Sequence, residues 1–247
     1  MITDRGSGLT RRALLGGTLG AGLSTAVLPG PRARAASRPL AWPRVHARYE
    51  WRATGPRARP QVLDECPDRI VVHHTATANS EDYSVEHAYA LSRSIQRFHM
   101  RKQGWDDIGE HLTISRGGYV MEGRQRSLAA ILTRRHVVGA HTRSHNHHTV
   151  GIETEGTYMR AAVPDPLWSS LVVTCAWLCT VYGLDPERAI AGHRDFNATN
   201  CPGDVLYDLL PELRRAVAAR MPVPPLEPYP PIEAPEPDLP EEPDPEE

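Results

Sequence analysis

The run RIVVHHTAT, Arg69 to Thr77, is the stretch that most narrows the folds open to this chain. Three β-branched residues in succession, Ile70 to Val72, suit a buried strand. That strand ends in two histidines, His73 and His74. The end of a buried strand is where open α/β sheets place ligands. Because side chains alternate along a strand, only one of the two imidazoles can point into a given cleft.

The surrounding segments supply partners for this strand. In SVEHAYALSRSIQRFHM, residues Val85, Ala88, Leu91, Ile95 and Phe98 recur at spacings of three and four behind Ser84 as N-cap, which predicts an amphipathic helix of about four turns. GWDDIGEHLTISRGGYVMEG reads as two short strands joined by an Arg-Gly-Gly turn. HVVGAH and TVGIETEG are further strands, and PLWSSLVVTCAWLCTVYG is a largely buried helix. RAIAGH is a short strand whose end delivers His193, and VLYDLLPELRRAVAAR is a final helix kinked or restarted at Pro211. Intermixed strands and helices without an internal repeat predict one globular α/β domain of mixed α+β character. A central mixed β-sheet flanked by about three main helices is expected over residues 68–220, preceded by an extended lead-in at 37–67.

Both ends differ from this middle. The opening 36 residues carry Arg11 and Arg12, then a mildly apolar, glycine-interrupted run from Ala13 to Leu28, then Ala-Arg-Ala, the order of a secretory signal peptide of twin-arginine type. The apolar run is too short and too weakly apolar for a comfortable membrane span. A secreted, extracellular or wall-associated protein with no stable membrane span after cleavage is the expectation. Residues 221–247 hold 11 prolines and nine acidic residues in 27 positions, which predicts a disordered Pro/Glu-rich tail. Without both ends, 23 basic residues face 20 acidic ones, a net +3. That balance suits an anionic wall surface and is too small to argue for nucleic acid. Nothing in the sequence predicts an oligomeric state.

Twelve histidines invite a search for chemistry. Those in helical or loop settings, His46, His87, His99, His136, His145, His147 and His148, read by default as solvated or hydrogen-bonded imidazoles. His73 and His193 differ, because each closes a strand, and Cys201 follows His193 across a polar loop, AGHRDFNATNCPGD. Two histidines and a cysteine would fill three of zinc's four tetrahedral positions and leave the fourth open, the mark of a catalytic zinc. Spacing alone leaves a disulfide or a free thiol at Cys201 equally in play.

Four blocks, VVHHTAT, GWDDIGEHLTISRGGYVMEGR, VVGAHTRSHNHHTVGIETEGTY and AGHRDFNATNCPGD, taken in that order, resemble the peptidoglycan recognition protein and type 2 N-acetylmuramoyl-L-alanine amidase family, which includes phage lysozyme-type amidases. The resemblance covers roughly residues 68 to 218. It implies one Zn²⁺ per chain held by His73, His193 and Cys201, with His74 packed beside them. It implies hydrolysis of the amide between N-acetylmuramic acid and L-alanine in peptidoglycan or muropeptides. Three such ligands would bring the pKa of a water in the open position to about 7.

Two glutamates compete to carry the proton. Glu153, in TVGIETEG, matches a strand glutamate that some amidases of this family use beside zinc. Glu110, in GWDDIGEHL, stands where phage members and many recognition proteins carry a tyrosine, so that role does not transfer directly. A carboxylate is nevertheless the better base near neutral pH. Glu153 is favoured first and Glu110 second. Thr199 replaces a lysine of the phage pattern and can hydrogen-bond the substrate carbonyl. His141, His145 and Asn146 match positions lining the family's substrate groove. With Cys201 assigned to zinc, export permits a bridge from Cys66 to Cys175 or Cys179, and free buried thiols are equally open. Two rivals remain: a non-catalytic peptidoglycan-binding module, against which Cys201 argues, and an amidase of soluble muropeptides.

Overall fold

A computed structural model describes residues 42–221. The signal-like segment 1–36 and the tail beyond Met221 lie outside the described residues. In chain order the elements are β1 (Val45–His46), β2 (Val62–Leu63), β3 (Arg69–His74), α1 (Val85–Arg101), β4 (Leu112–Ile114), β5 (Val120–Glu122), α2 (Ser127–Leu132), β6 (His136–Val137), β7 (Thr149–Thr154), α3 (Asp165–Tyr182), α4 (Pro186–Ala189), β8 (Ile190–Gly192), a 3-10 turn (His193–Asp195), α5 (Asp204–Asp208) and α6 (Leu210–Arg220).

The β-branched run becomes β3, and it lies inside a six-stranded mixed sheet of order β1-β5-β4-β7-β3-β8. Only the β4–β5 hairpin is antiparallel; β3 runs parallel to both β7 and β8. Alternation then divides the sheet chemically. Ile70, Val72, Leu112, Ile114, Val150 and Ile152 belong to the main core, which they share with Leu171, Cys175 and Leu178 of α3 and Leu213 and Val217 of α6. The intervening residues His73, Thr113, Gly151 and Glu153 therefore face the opposite side, and that side is polar. The final helix does restart as predicted: α5 ends at Asp208 and α6 carries Pro211 in its first turn.

Three expectations need correcting. The lead-in is part of the fold rather than a bare extension. Its β1 pairs in parallel with β5, and Trp51 is fully buried with its indole Nε1 donating to the Glu122 carbonyl at 3.0 Å. In α1 the buried stripe is turned from the predicted one: Ala88 and Ile95 are buried, but Phe98 is 52% exposed while Ser92, Gln96 and His99 point inward. The reason is the polar loop leading into β4, where Gln96 donates to Asp107 Oδ1 at 2.8 Å and His99 Nδ1 accepts from the Gly109 N–H at 3.1 Å. The HVVGAH strand shrinks to two residues, which pair with β2 in a separate ribbon outside the main sheet.

Candidate metal centre

The site forms at the ends of β3 and β8 because the two strands are hydrogen-bonded neighbours, with Val72 opposite Gly192. The next residues, His73 and His193, consequently bring their rings to a centroid distance of 4.5 Å. Cys201 returns to them through a loop braced by its own charges. The Arg194 N–H donates to the Cys201 carbonyl at 3.1 Å, and its guanidinium reaches the Asn200 carbonyl at 2.5 Å and Asp204 Oδ1 at 2.9 Å. Asp195 accepts from the Gly192 N–H and from the Tyr207 hydroxyl. Gly203, with φ +93°, closes the loop against the Tyr158 backbone, where a Cβ would collide.

The Cys201 sulfur thereby lies 3.7 Å from His73 Nδ1 and accepts the His74 N–H at 3.4 Å. One ligand atom each from His73, His193 and Cys201 falls within a 4.8 Å span. The Nε2–H of His193 is taken by Asn197 Oδ1 at 3.1 Å, whose amide nitrogen is committed to backbone carbonyls, so Nδ1 is the atom left for the site. A tetrahedral zinc with bonds of about 2.0 Å to nitrogen and 2.3 Å to sulfur needs donors roughly 3.5 Å apart. The residues present fit that ion.

Charge is suppressed throughout. Burial, then the neighbouring His193, holds His73 well below the ordinary histidine range, and His193 is lowered by burial as well. Both imidazoles are thus neutral lone-pair donors at pH 7. Burial pushes the Cys201 thiol up to about 12, so a cation must displace its proton on binding.

Glu153 stands on β7 directly opposite His73 in register, on the same polar face. Glu110 precedes β4 and is fully buried. Its Oε1 accepts from the Thr113 hydroxyl at 2.9 Å, while Oε2 has no hydrogen-bond partner and lies 3.6 Å from His99 Nδ1. Burial raises Glu110 to about 7, and burial together with the Glu110 charge raises Glu153 well above the carboxylate range. Both glutamates and His99 line a cavity of about 420 Å³ that also contains the His73, His193 and Cys201 side chains. A larger groove of about 720 Å³ adjoins it, lined by Trp105, Arg143, Asn146, Asn197 and Thr199 among others.

The remaining predicted residues divide. Thr199 is exposed at the junction of groove and cavity, its Oγ accepting the Cys201 N–H at 3.2 Å and its own proton free to donate outward. Asn146 lines the groove but also braces it, its Oδ1 accepting the N–H groups of His141 and Thr142. His141 reaches the groove, yet both ring nitrogens are engaged within the protein. His145 is not among the lining residues; it pairs with His148 at 3.1 Å and packs on Phe196. His74 accepts the Tyr158 N–H and lies beside the ligands. All four cysteines are free, with Cys66 exposed and Cys175 and Cys179 buried in the main core, so the permitted bridge is not formed.

Two contributors escape sequence reasoning. His99 reads as an ordinary helix histidine, and only the turned face of α1 puts it on the buried stripe. His111 carries no strand-end or spacing signal of its own; it sits one residue before β4, donates Nε2–H to the Val137 carbonyl and accepts the Gly151 N–H.

Comparison with known proteins gives a consistent family. A family model described as N-acetylmuramoyl-L-alanine amidase matches residues 63–204. The human N-acetylmuramoyl-L-alanine amidase is 37% identical over 173 residues, 69% of this chain but 28% of the human protein. The chain thus spans less than a third of the length of the mammalian amidases it matches. Peptidoglycan-recognition protein LB of Drosophila melanogaster is 27% identical over 68% of both chains. Its solved structure aligns with a TM-score of 0.58 at 26% identity, covering 67% of this chain and 91% of that one. Peptidoglycan recognition protein LE, solved with tracheal cytotoxin, a monomeric diaminopimelic acid-type peptidoglycan, aligns with a TM-score of 0.60 at 26% identity, covering 68% and 92%.

Proposed function

The chain belongs to the N-acetylmuramoyl-L-alanine amidase family, and from that premise we propose that it is a zinc hydrolase cleaving the amide between N-acetylmuramic acid and L-alanine in peptidoglycan or its fragments. The observation that carries this reading is the convergence of one ligand atom each from His73, His193 and Cys201 within 4.8 Å, beside the buried carboxyl of Glu110 and the half-buried carboxyl of Glu153. A recognition module has no use for a half-buried thiol held against two neutral imidazoles. One zinc per chain, held by these three residues, would supply Lewis-acid polarisation of the carbonyl and a water of lowered pKa.

The chain's own residues do the rest. The groove, with Trp105, Arg143 and Asn197 on its walls, takes the glycan-peptide, as the corresponding fold does for the muropeptide bound by protein LE. Thr199, at the inner end of that groove, donates its hydroxyl to the scissile carbonyl oxygen. Glu153, on the His73 face of the sheet, in the ionised form that a cation at the neighbouring site would favour, takes a proton from the attacking water and returns it to the departing L-alanine nitrogen. Glu110, lining the same cavity, is the second carboxyl of the pair. Burial keeps these groups closer to neutrality than solvent would, which is the condition for exchanging protons near pH 7. Export directed by residues 1–36, placing this chemistry at a cell wall, belongs to the same proposal.

The test is a digest of purified peptidoglycan by the zinc-loaded full chain, analysed by mass spectrometry. Stem peptides with a new free amino-terminal L-alanine are expected. Cleavage at another bond, or activity that survives a chelator, would sink the reading.

A further inference from the structure

We propose that His141 is a positioning residue for the metal centre: it fixes the tautomer of His73 so that the His73 Nδ1 lone pair faces the site. This rests on the zinc reading of that site but concerns a different residue from the three ligands.

The Thr149 carbonyl is an acceptor that cannot reverse its role. His141 Nε2 lies 3.3 Å from the Thr149 carbonyl oxygen, which can only accept, so the His141 proton sits on Nε2 and Nδ1 carries a lone pair. That lone pair lies 3.0 Å from His73 Nε2 and 2.8 Å from the Thr142 hydroxyl. The Thr142 hydroxyl lies nearer His141 Nδ1 than His73 Nε2, at 2.8 against 3.5 Å, and two lone pairs facing each other at 3.0 Å would repel, so His73 presents an N–H at Nε2 and, when neutral, is unprotonated at Nδ1. Nδ1 is the atom 3.7 Å from the Cys201 sulfur. A single polarity thus runs from the Thr149 carbonyl through two imidazoles to the metal position.

The sheet is built to hold this ring. A Cβ on Gly151 would stand 2.5 Å from His141 Cγ, and one on Gly139 would stand 2.6 Å from His141 Cδ2. The two glycines leave the slot that the ring fills. From the other side, Asn146 Oδ1 clamps the backbone N–H groups of His141 and Thr142 at 2.8 and 3.0 Å. The ring also meets His73 edge-on, at 5.1 Å and 89°.

The identity of the orienting group has a chemical consequence. Metal-ligating histidines commonly donate their second N–H to a carboxylate, a carbonyl or a water. Here the acceptor is a neutral imidazole, which orients His73 without adding negative charge beside the ion. The centre keeps the thiolate as its one anionic ligand and remains correspondingly electrophilic.

The experiment uses the full chain and Zn²⁺, titrated in competition with a fluorescent zinc chelator. His141→Leu, which keeps bulk and removes the acceptor, should weaken zinc binding about 10- to 100-fold. His141→Asn, whose Oδ1 can stand where Nδ1 stood, should recover most of that loss. Unchanged affinity in the leucine variant, or equal weakening in both variants, would overturn the proposal, the second outcome assigning His141 to packing alone. Nitrogen-15 NMR of the zinc-free wild type reads the tautomer without any variant: a His73 proton on Nε2 is expected, and one on Nδ1 overturns the proposal even where the variants do not fold. A wild-type chain that takes up no zinc would refute the hydrolase reading, while the NMR result would still decide the tautomer.

Discussion

Glu110 and Glu153 bring carboxylate oxygens within 4.8 Å of each other and of a His99 ring nitrogen, in a cavity where Glu110 Oε2 has no hydrogen-bond donor. Two carboxyl groups so placed cannot both ionise freely, and their proton affinities separate by environment. Glu153 shares the His73 face of the sheet, whereas Glu110 is tied to Thr113. Glu153→Gln should therefore lower kcat about 10²- to 10⁴-fold with zinc content unchanged. Glu110→Gln should cost less and mainly shift the pH-rate profile. Steady-state kinetics with metal analysis of each variant decides this; wild-type rates for both would remove the glutamates from the reaction.

Replacing Cys201 with serine should abolish both zinc retention and hydrolysis, because the thiolate supplies the only negative charge in the ligand set. Dialysed protein measured by plasma mass spectrometry should hold about one zinc per wild-type chain and essentially none in Cys201→Ser. A variant that keeps stoichiometric zinc would break the ligand assignment.

The buried imidazoles set an acid limit on stability. Burial holds His99 at about 4, and holds His111 and His136 below the ordinary range as well. At these rings the native state binds fewer protons than the unfolded chain between the folded values and about 6.5, so their contribution to stability is complete above about 6.5 and is lost as pH drops toward 4, while the raised Glu110 and Glu153 act in the opposite sense above the ordinary carboxylate range. His99 alone accounts for a loss on the order of 3 kcal/mol across that window. Thermal melting of the zinc-free protein at pH 7.5, 6 and 5 should show a steep decline in Tm. A flat profile would mean that these rings are hydrated.

Trp51→Ala should destabilise the domain by about 3–5 kcal/mol, since a fully buried indole and its bond to the Glu122 carbonyl are both removed. Urea denaturation followed by circular dichroism measures the loss. A chain begun at residue 68 should show a comparable deficit, because β1 and Trp51 are absent.

Residues with local signatures are legible in the sequence itself. Ile70–Val72 announce β3 by β-branching, and the strand-end positions of His73 and His193 point to one sheet edge. The hairpin around Gly117 and Gly118 is equally plain. Features that depend on what lies across a contact are not. Phe98 and His99 are neighbours on α1, and helical periodicity favours the aromatic for the interior. The loop before β4 reverses that choice at this end of the helix, since Asp107 and the Gly109 N–H there match Gln96 and His99. Trp51 sits in an Arg- and Pro-rich stretch with no periodicity, so nothing local marks it as core. His141 resembles a groove contact because its pairing with His73 joins segments far apart in the chain.

The β3–β8 pairing has a further consequence for how this protein can change over evolutionary time. An ion that joins two otherwise free stretches of chain acts as a clasp, and its loss opens the loop it closed. Here the hydrogen-bonded ladder from Ile70 to Val72 has already brought His73 beside His193, and Arg194 has already folded Cys201 back. Under the proposed function, the ion would join a closure that the β3–β8 ladder and the Arg194 contacts already hold. On that reading, one change at Cys201 would end hydrolysis and leave the groove intact, so catalysis would be the detachable trait of such an architecture and recognition the durable one.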